Sequence, residues 1–240
     1  LEQAMAEHRP KLCLLTANFQ NPLGYVLSDV DKQKIAQLAA QYHCIILEDD
    51  IYAECSYQGQ RPLPIKYWDQ HGYVVWVGSV SKSLSTAYRV GWFCIGGQLK
   101  AMYPEFYSAN ISVNTPLQLG LADFIYSREY RNHLSRLQPQ LMQQVEQYRR
   151  YILKAFAPLN IGLSQPQGGY ALWLELPQKI DSLALYLAAQ QHQINIVPGV
   201  VFGEDERYQH FVRLNAGHAL TPQLQEAILF LAEWVKQAVD

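Results

Sequence analysis

The segment SVSKSLSTAYRVGW puts Ser79 and Ser81 before Lys82, and Arg89 seven residues after it. A lysine amine can hold an aldehyde as an imine, and it acts as nucleophile or base once deprotonated. Two hydroxyls and a guanidinium on the same loop are groups that can hold a phosphate. Taken singly, each is more often a solvated surface side chain, so the chemistry depends on what else the fold brings to them. Three further places carry candidates: Asn21 in NFQNPLG, Asp49 and Tyr52 in LEDDIYAE, and Arg213 in FVRLNAG. An N-P-x-G string is usually only a turn, and an arginine in a strand can simply occupy its edge. For the adjacent Asp49 and Asp50 the plain structural reading is helix capping or a solvated loop, and for Asp50 that reading is preferred. An aspartate pair can also bind a metal, but the seven histidines show no ligand spacing, so no metal site is expected.

These residues need elements to position them. KLCLLT (residues 11 to 16) is a short apolar run that ends in the turn-rich ANFQNPLG, which predicts a buried strand and a loop. Ser28 and Asp31 form a capping-box pattern, after which Ile35, Leu38, Ala39 and Tyr42 recur at helical spacing. A second apolar strand, CIILE, closes at Asp49. Strand, helix, strand in this order predicts a βαβ unit, whose parallel sheet is buried on both faces and therefore spelled in continuous apolar residues. YVVWVGS and VGWFCIG predict two more buried strands. In an open α/β sheet, ligands gather at the carboxyl ends of the strands, which is where Asn21, Asp49, Tyr52, Ser79 and Lys82 fall.

From Pro116 to about residue 159 the periodicity is helical, carried by Leu117, Leu121, Phe124, Leu134, Leu141, Val145, Tyr148 and Ile152. Pro139 is expected to end or kink a helix near Gln138. Short strands follow in GLSQPQGGYALWLELP, INIVP and HFVRLN, with one helix near residues 181 to 191. Thr221 and Pro222 offer an N-cap and a first-turn proline to a last amphipathic helix. The expected organisation is α/β: residues 1–134 as part of a large domain with a mainly parallel sheet, and residues 135–240 as a small C-terminal α+β domain.

Bulk composition excludes several function classes. With 49% hydrophobic and 17% charged residues in 240, the chain can bury a core. Its net charge of -2 and the lack of any lysine or arginine run leave no electrostatic footprint for nucleic acid, so DNA could be a partner only through another segment. Cys13, Cys44, Cys55 and Cys94 are far apart and form no C-x-x-C pair, so reduced thiols and a cytoplasmic location are expected. No apolar stretch is long enough to span a membrane, and no basic-then-apolar leader opens the sequence. The sequence starts at Leu1 in a polar helical remnant without an initiating methionine, and a fragment is expected.

The motifs together are more specific than any one of them. SVSKSLSTAYRVGW resembles the S-x-S-K-x(6)-R-x-G-[WF] signature of fold-type-I pyridoxal-phosphate (PLP) proteins, the class I/II aminotransferases among them. The resemblance implies an aspartate-aminotransferase-like fold with Lys82 as the Schiff-base lysine, Ser79 and Arg89 as ligands of the cofactor phosphate, and Ser81 as a further candidate for that task. NFQNPLG resembles the family's N-P-x-G loop, which assigns Asn21 to the pyridine 3-oxygen and to the substrate. LEDDIYAE resembles the D-E-x-Y pattern, which assigns Asp49 to the pyridine nitrogen and Tyr52 to the 3-oxygen. An ionised carboxylate there keeps the ring nitrogen protonated, so that the ring can accept electrons. FVRLNAG resembles the segment whose arginine, here Arg213, binds the substrate α-carboxylate by a two-pronged pair. Gly168, Gly169 and Gly199 are read as backbone turns rather than ligands, and Asn114 and Thr115 as residues that could reach a neighbouring subunit's site.

Within the superfamily, EDDIYAE and the stretch from RPLPIKYW to RVGW are most similar to the aminotransferase-like domain of MocR/GntR-type transcription regulators. The resemblance therefore implies either amino-group transfer between an amino acid and a 2-oxo acid, or an effector-sensing domain whose DNA-binding winged helix lies outside this sequence. A homodimer is implied in both cases. Family members also carry an earlier part of the large domain, with a glycine-containing phosphate loop and a ring that stacks on the pyridine, which this sequence does not include.

Overall fold

In a computed structural model, residues 1–109 and 114–239 are described. They form two compact units: Leu1–Gln20 with Tyr25–Gln138, and Asn21–Gly24 with Pro139–Asp240.

The first unit contains α1 (Glu2–His8), β1 (Leu12–Leu15), α2 (Asp29–Gln41), β2 (Ile45–Asp49), β3 (Val74–Ser79), β4 (Gly91–Cys94), α3 (Tyr103–Ala109) and α4 (Thr115–Tyr126). Its sheet runs β1-β2-β3-β4, with β1, β2 and β3 parallel and β4 antiparallel to β3. The helix predicted after Ser28 is present as α2. The Ser28 hydroxyl accepts from the Asp31 amide at 3.1 Å, which satisfies one of the free N–H groups of the first turn. Ile35, Leu38 and Ala39 on α2 pack with Met5, Cys44, Ile46, Ile65 and Val74 into one core. A smaller cluster joins Val80 and Val90 to Leu121 of α4.

The opposite face of this sheet is open. Leu12 is 51%, Leu14 63% and Phe93 45% exposed, although the continuous apolar runs predicted strands buried on both sides. β1 and β4 are the outer strands, and an apolar run does not report how many faces have a layer over them. The prediction of buried strands therefore holds for one face of β1 and fails for most of β4.

Of the end or kink expected near Gln138, the end is not observed. Ser127 closes α4 and its hydroxyl accepts from the Tyr130 amide at 3.1 Å, after which α5 (Arg128–Ala155) runs through Pro139 without interruption. Proline removes one helical hydrogen bond, and a long amphipathic helix tolerates this where packing holds both flanks. The boundary between the two units falls at that residue.

The second unit adds β5 (Gly162–Leu163), β6 (Ala171–Glu175), α6 (Ser182–Gln191), β7 (Val197–Pro198), β8 (Phe211–Asn215) and α7 (Pro222–Val239). Its sheet has the order β5-β6-β8-β7 and is antiparallel throughout. Leu172 and Leu174 of β6, Val212 and Leu214 of β8, and Ile228, Leu231 and Val235 of α7 are buried. Thr221 caps α7 through its hydroxyl, which accepts from the Leu224 amide at 3.3 Å. At Gly199 a Cβ would come within 2.0 Å of the Tyr208 carbonyl oxygen, so this glycine serves a close backbone approach.

Candidate active site

Parallel pairing of β2 with β3 sends their carboxyl ends to the same edge of the sheet, and antiparallel β4 starts from that edge. Asp49, Ser79 and Arg89 are gathered by this topology alone. Asp49 is paired with Val77 and Ser79 with Gly91, so Asp49 and Ser79 also share a face, the one left open above.

The loop after β3 presents the lysine. Ser79 Oγ accepts from the Ser81 amide at 3.0 Å, lies 2.8 Å from Ser81 Oγ, and donates to the Val90 carbonyl at 3.0 Å. These bonds tie the two hydroxyls to each other and to the residue that follows Arg89. Arg89 is exposed, sits in the left-handed region at φ 52, and makes no ion pair among the described residues. Lys82 is half-buried, and its Nζ lies 5.2 Å from the centre of the Tyr52 ring. Its backbone is anchored: the Lys82 carbonyl accepts from the Cys55 thiol at 3.6 Å, and the next carbonyl, that of Ser83, accepts from His133 Nε2 at 2.7 Å. Ser83 Oγ also lies 3.1 Å from Tyr130 Oη. Burial pushes the Cys55 thiol up to about 12, so it remains a neutral donor.

The loop after β2 presents the acid and the phenol. Asp49 is half-buried and its Oδ1 accepts from the Ile51 amide at 3.2 Å. Tyr52 is 7% exposed. Asp50 does not fit the solvated or capping role expected from sequence, because it is 3% exposed and lies inside a polar network. It accepts from Asn18 Nδ2 and from Trp76 Nε1, both at 2.8 Å, and forms an ion pair with Arg61. Arg61 also reaches Glu54 Oε1 through Nε at 2.8 Å. Beneath them Glu48 is fully buried and accepts from the backbone amides of Ile65 and Lys66 at 2.7 and 3.0 Å. Burial pushes the Glu48 carboxyl up to about 7, against the two amides that favour its charged form. None of these supporting residues was found from sequence. Their partners lie 7 to 50 residues away and belong to no local pattern.

In the second unit, Arg213 on β8 donates from Nη1 to Asn21 Oδ1 at 3.4 Å, and its guanidinium carbon is 5.9 Å from the centre of the Phe202 ring. The Asn21–Pro22 bond is cis, and Gly24, which closes the N-P-x-G loop, adopts φ +74 with its α-carbon turned against Pro166. Only glycine fits there, since a Cβ would lie 2.6 Å from that of Pro166. An open cleft of about 870 Å³ in this unit is lined by Arg213, Asn215, His218 and Tyr148 among others. Asn114, considered for an intersubunit role, is the N-cap of α4 and accepts from the Leu117 amide at 3.2 Å. No group of three or more metal-ligating side chains occurs among the described residues.

Residues 1–229 match the aminotransferase class I and II family. The chain belongs to that family. Among its relatives, the uncharacterized HTH-type transcriptional regulator YdcR of Escherichia coli is 34% identical over 99% of this chain and 50% of its own length. The aromatic-amino-acid aminotransferase 1 of Thermococcus litoralis is 29% identical over 95% of this chain and 54% of its own. The crystal structure of Pyrococcus horikoshii kynurenine aminotransferase in complex with PMP superposes with a TM-score of 0.81 at 26% identity, covering 96% of this chain and 57% of that one. The chain thus spans about half the length of the relatives it matches.

The family's cofactor is pyridoxal phosphate, and the groups gathered at the sheet edge fit it by chemistry. An amine, a carboxylate and a phenol stand on adjacent loops, and two linked hydroxyls are bonded to the carbonyl of the residue that follows the exposed Arg89. Among the described residues no helix is long and apolar enough to cross a membrane.

Proposed function

We propose that this chain is the cofactor-holding part of a PLP-dependent aminotransferase, which moves an amino group between an amino acid and a 2-oxo acid. The observation that carries this reading is the approach of Lys82 Nζ to the Tyr52 ring, at an edge that also holds Asp49, Ser79 and Arg89. When bound, the cofactor supplies an electrophilic carbon and a ring that takes up electron density from the substrate.

The residues do the rest. Lys82 is the amine that would hold the cofactor, and its free amine would carry a proton away from the substrate Cα. The Asp49 carboxylate holds a proton on the ring nitrogen. Tyr52 and Asn21 donate to the ring 3-oxygen. Ser79, Ser81 and Arg89 would hold the phosphate, the serines by redirecting the hydroxyl protons that now serve the Val90 carbonyl and the Ser79–Ser81 pair, and the arginine as a forked cation. Arg213 pairs with the substrate α-carboxylate, and the Asn21 oxygen that it now contacts orients the guanidinium. The protein acts as a homodimer in the cytoplasm.

A second reading is favoured by the 34% identity to an HTH-type regulator. In it the same residues bind cofactor and amino acid, but the binding shifts a conformational equilibrium in an attached DNA-binding domain instead of completing turnover.

One experiment separates the two readings. Full-length protein with PLP is mixed with a panel of amino acids and followed by absorbance and by oxo-acid analysis. Transfer predicts the pyridoxamine form and a stoichiometric oxo acid. A spectral change on binding without oxo acid favours the regulator, and no cofactor band under any condition overturns both.

A further inference from the structure

We propose that Arg61 is the positioning residue for Tyr52. This inference rests on the cofactor reading above and adds a residue that no motif marks.

Tyr52 stands midway between Asp50 and Glu54, and Arg61 holds both. One end of its guanidinium pairs with Asp50 and the Nε pairs with Glu54 Oε1 at 2.8 Å, so the five-residue turn that bears the phenol is closed by one planar cation. The fork geometry of arginine makes this possible, because a point charge such as an ammonium cannot face two carboxylates along fixed directions. Both ends of the turn are fastened elsewhere as well. Asp50 is held by Trp76 Nε1 on β3 and by Asn18 Nδ2, both at 2.8 Å, and Arg61 lies over the Trp76 ring at 5.4 Å. At the other end, the Glu54 carbonyl accepts from Gln138 Nε2 at 3.0 Å, and Cys55 donates to the carbonyl of Lys82. The clamp therefore fixes the phenol relative to the amine that it faces.

A purely stabilising role explains this less well. Burying Asp50 and half-burying Glu54 beside one half-buried arginine costs desolvation that offsets much of their attraction, and such groups are frequently replaceable by apolar ones without loss of stability. What an apolar cluster cannot supply is a fixed direction for Tyr52, and a hydrogen bond to a cofactor oxygen depends on that direction. The other ionisable groups facing the clamp are Lys32, Glu48, Cys55 and Tyr130, and the variants below leave them all in place.

The test is the pH midpoint at which the visible band of the bound cofactor shifts in full-length holoprotein. A phenol that donates to the ring 3-oxygen stabilises its anionic form, so Tyr52→Phe raises the midpoint by on the order of one pH unit, the weight of one hydrogen bond. Arg61→Lys, which keeps the charge and loses the fork, and Glu54→Gln, which weakens one arm, are each expected to raise it in the same direction. Combined with Tyr52→Phe, neither is expected to raise it further. Single variants that titrate as wild type overturn the proposal, and so do shifts that add to that of Tyr52→Phe. If Arg61→Lys does not fold, Glu54→Gln decides. A wild-type protein without a titrating band overturns the cofactor reading and this proposal with it. A normal wild-type band with unmoved variants overturns this proposal alone.

Discussion

Lys82 Nζ stands 5.2 Å from the centre of the Tyr52 ring, across the gap between the loops that leave β2 and β3. The pair is held from behind on both sides, through the Cys55 thiol on the Lys82 carbonyl and through Arg61 on the two carboxylates that flank Tyr52. In the proposed function, an anchored backbone beneath the amine limits the conformational freedom that would be lost when Lys82 meets a carbonyl.

The first prediction concerns that amine. In full-length protein with PLP, borohydride is expected to fix the cofactor covalently on the peptide that contains Lys82. Lys82→Ala is expected to abolish both the attachment and the visible band. Mass spectrometry of the digest reads the outcome, and an unchanged label in the variant rules out Lys82 as the attachment point.

Arg213 is expected to act on ligand and not on cofactor. Arg213→Ala removes a charge-assisted pair, which corresponds to about 1.5–3 kcal/mol, or roughly a 10- to 150-fold weaker affinity for amino or oxo acids. PLP content should be unchanged. Spectral titration with an oxo acid measures the affinity, and unaltered binding would remove Arg213 from the site.

Much of this arrangement can be read in the sequence, and the exceptions have physical causes. β1, β2 and β3 are found because parallel strands over a packed layer are written in unbroken apolar residues, and Ser28 and Thr221 announce α2 and α7 because a hydroxyl there satisfies a free amide. The residues at the carboxyl ends of β2 and β3 follow from the same pattern. The direction and exposure of β4 do not, since GWFC carries no mark of antiparallel pairing or of an uncovered face. Asp50 was misjudged because its fate depends on Arg61 and Trp76, and local spacing is blind to both. Pro139 failed as a helix stop because α5 has buried Gln138 just before it and buried Leu141 just after it to hold the helix through the lost bond.

Glu48 makes stability depend on pH. Its carboxyl in the folded protein is raised to about 7 by burial, so folding favours the protonated form. The stability it contributes is complete below its unfolded value of about 4.3 and is lost as pH rises through about 7. Wild type should therefore weaken from pH 5 to 8 more than Glu48→Gln does, by on the order of 2–4 kcal/mol. Urea unfolding at a series of pH values checks this, and a gap between the two proteins that stays constant with pH contradicts it.

Gly199 offers a test of packing in the second unit. Gly199→Ala drives a methyl toward the Tyr208 and Phe211 carbonyl oxygens at 2.0 and 2.8 Å, which are backbone and cannot swing away. The expected cost is about 1–3 kcal/mol, seen as a lower thermal midpoint. An unshifted midpoint would mean that this segment relaxes freely.

Arg89 carries a lesson for anyone redesigning this domain. Its backbone sits at φ 52, where a side chain costs about 1–2 kcal/mol and glycine has no steric cost. A stability-guided search would favour Arg89→Gly and would be rewarded by a higher melting temperature, while it erased the cation assigned to the phosphate. If Arg89 holds the phosphate as proposed, the strained backbone belongs to that role and engineered variants should keep the residue.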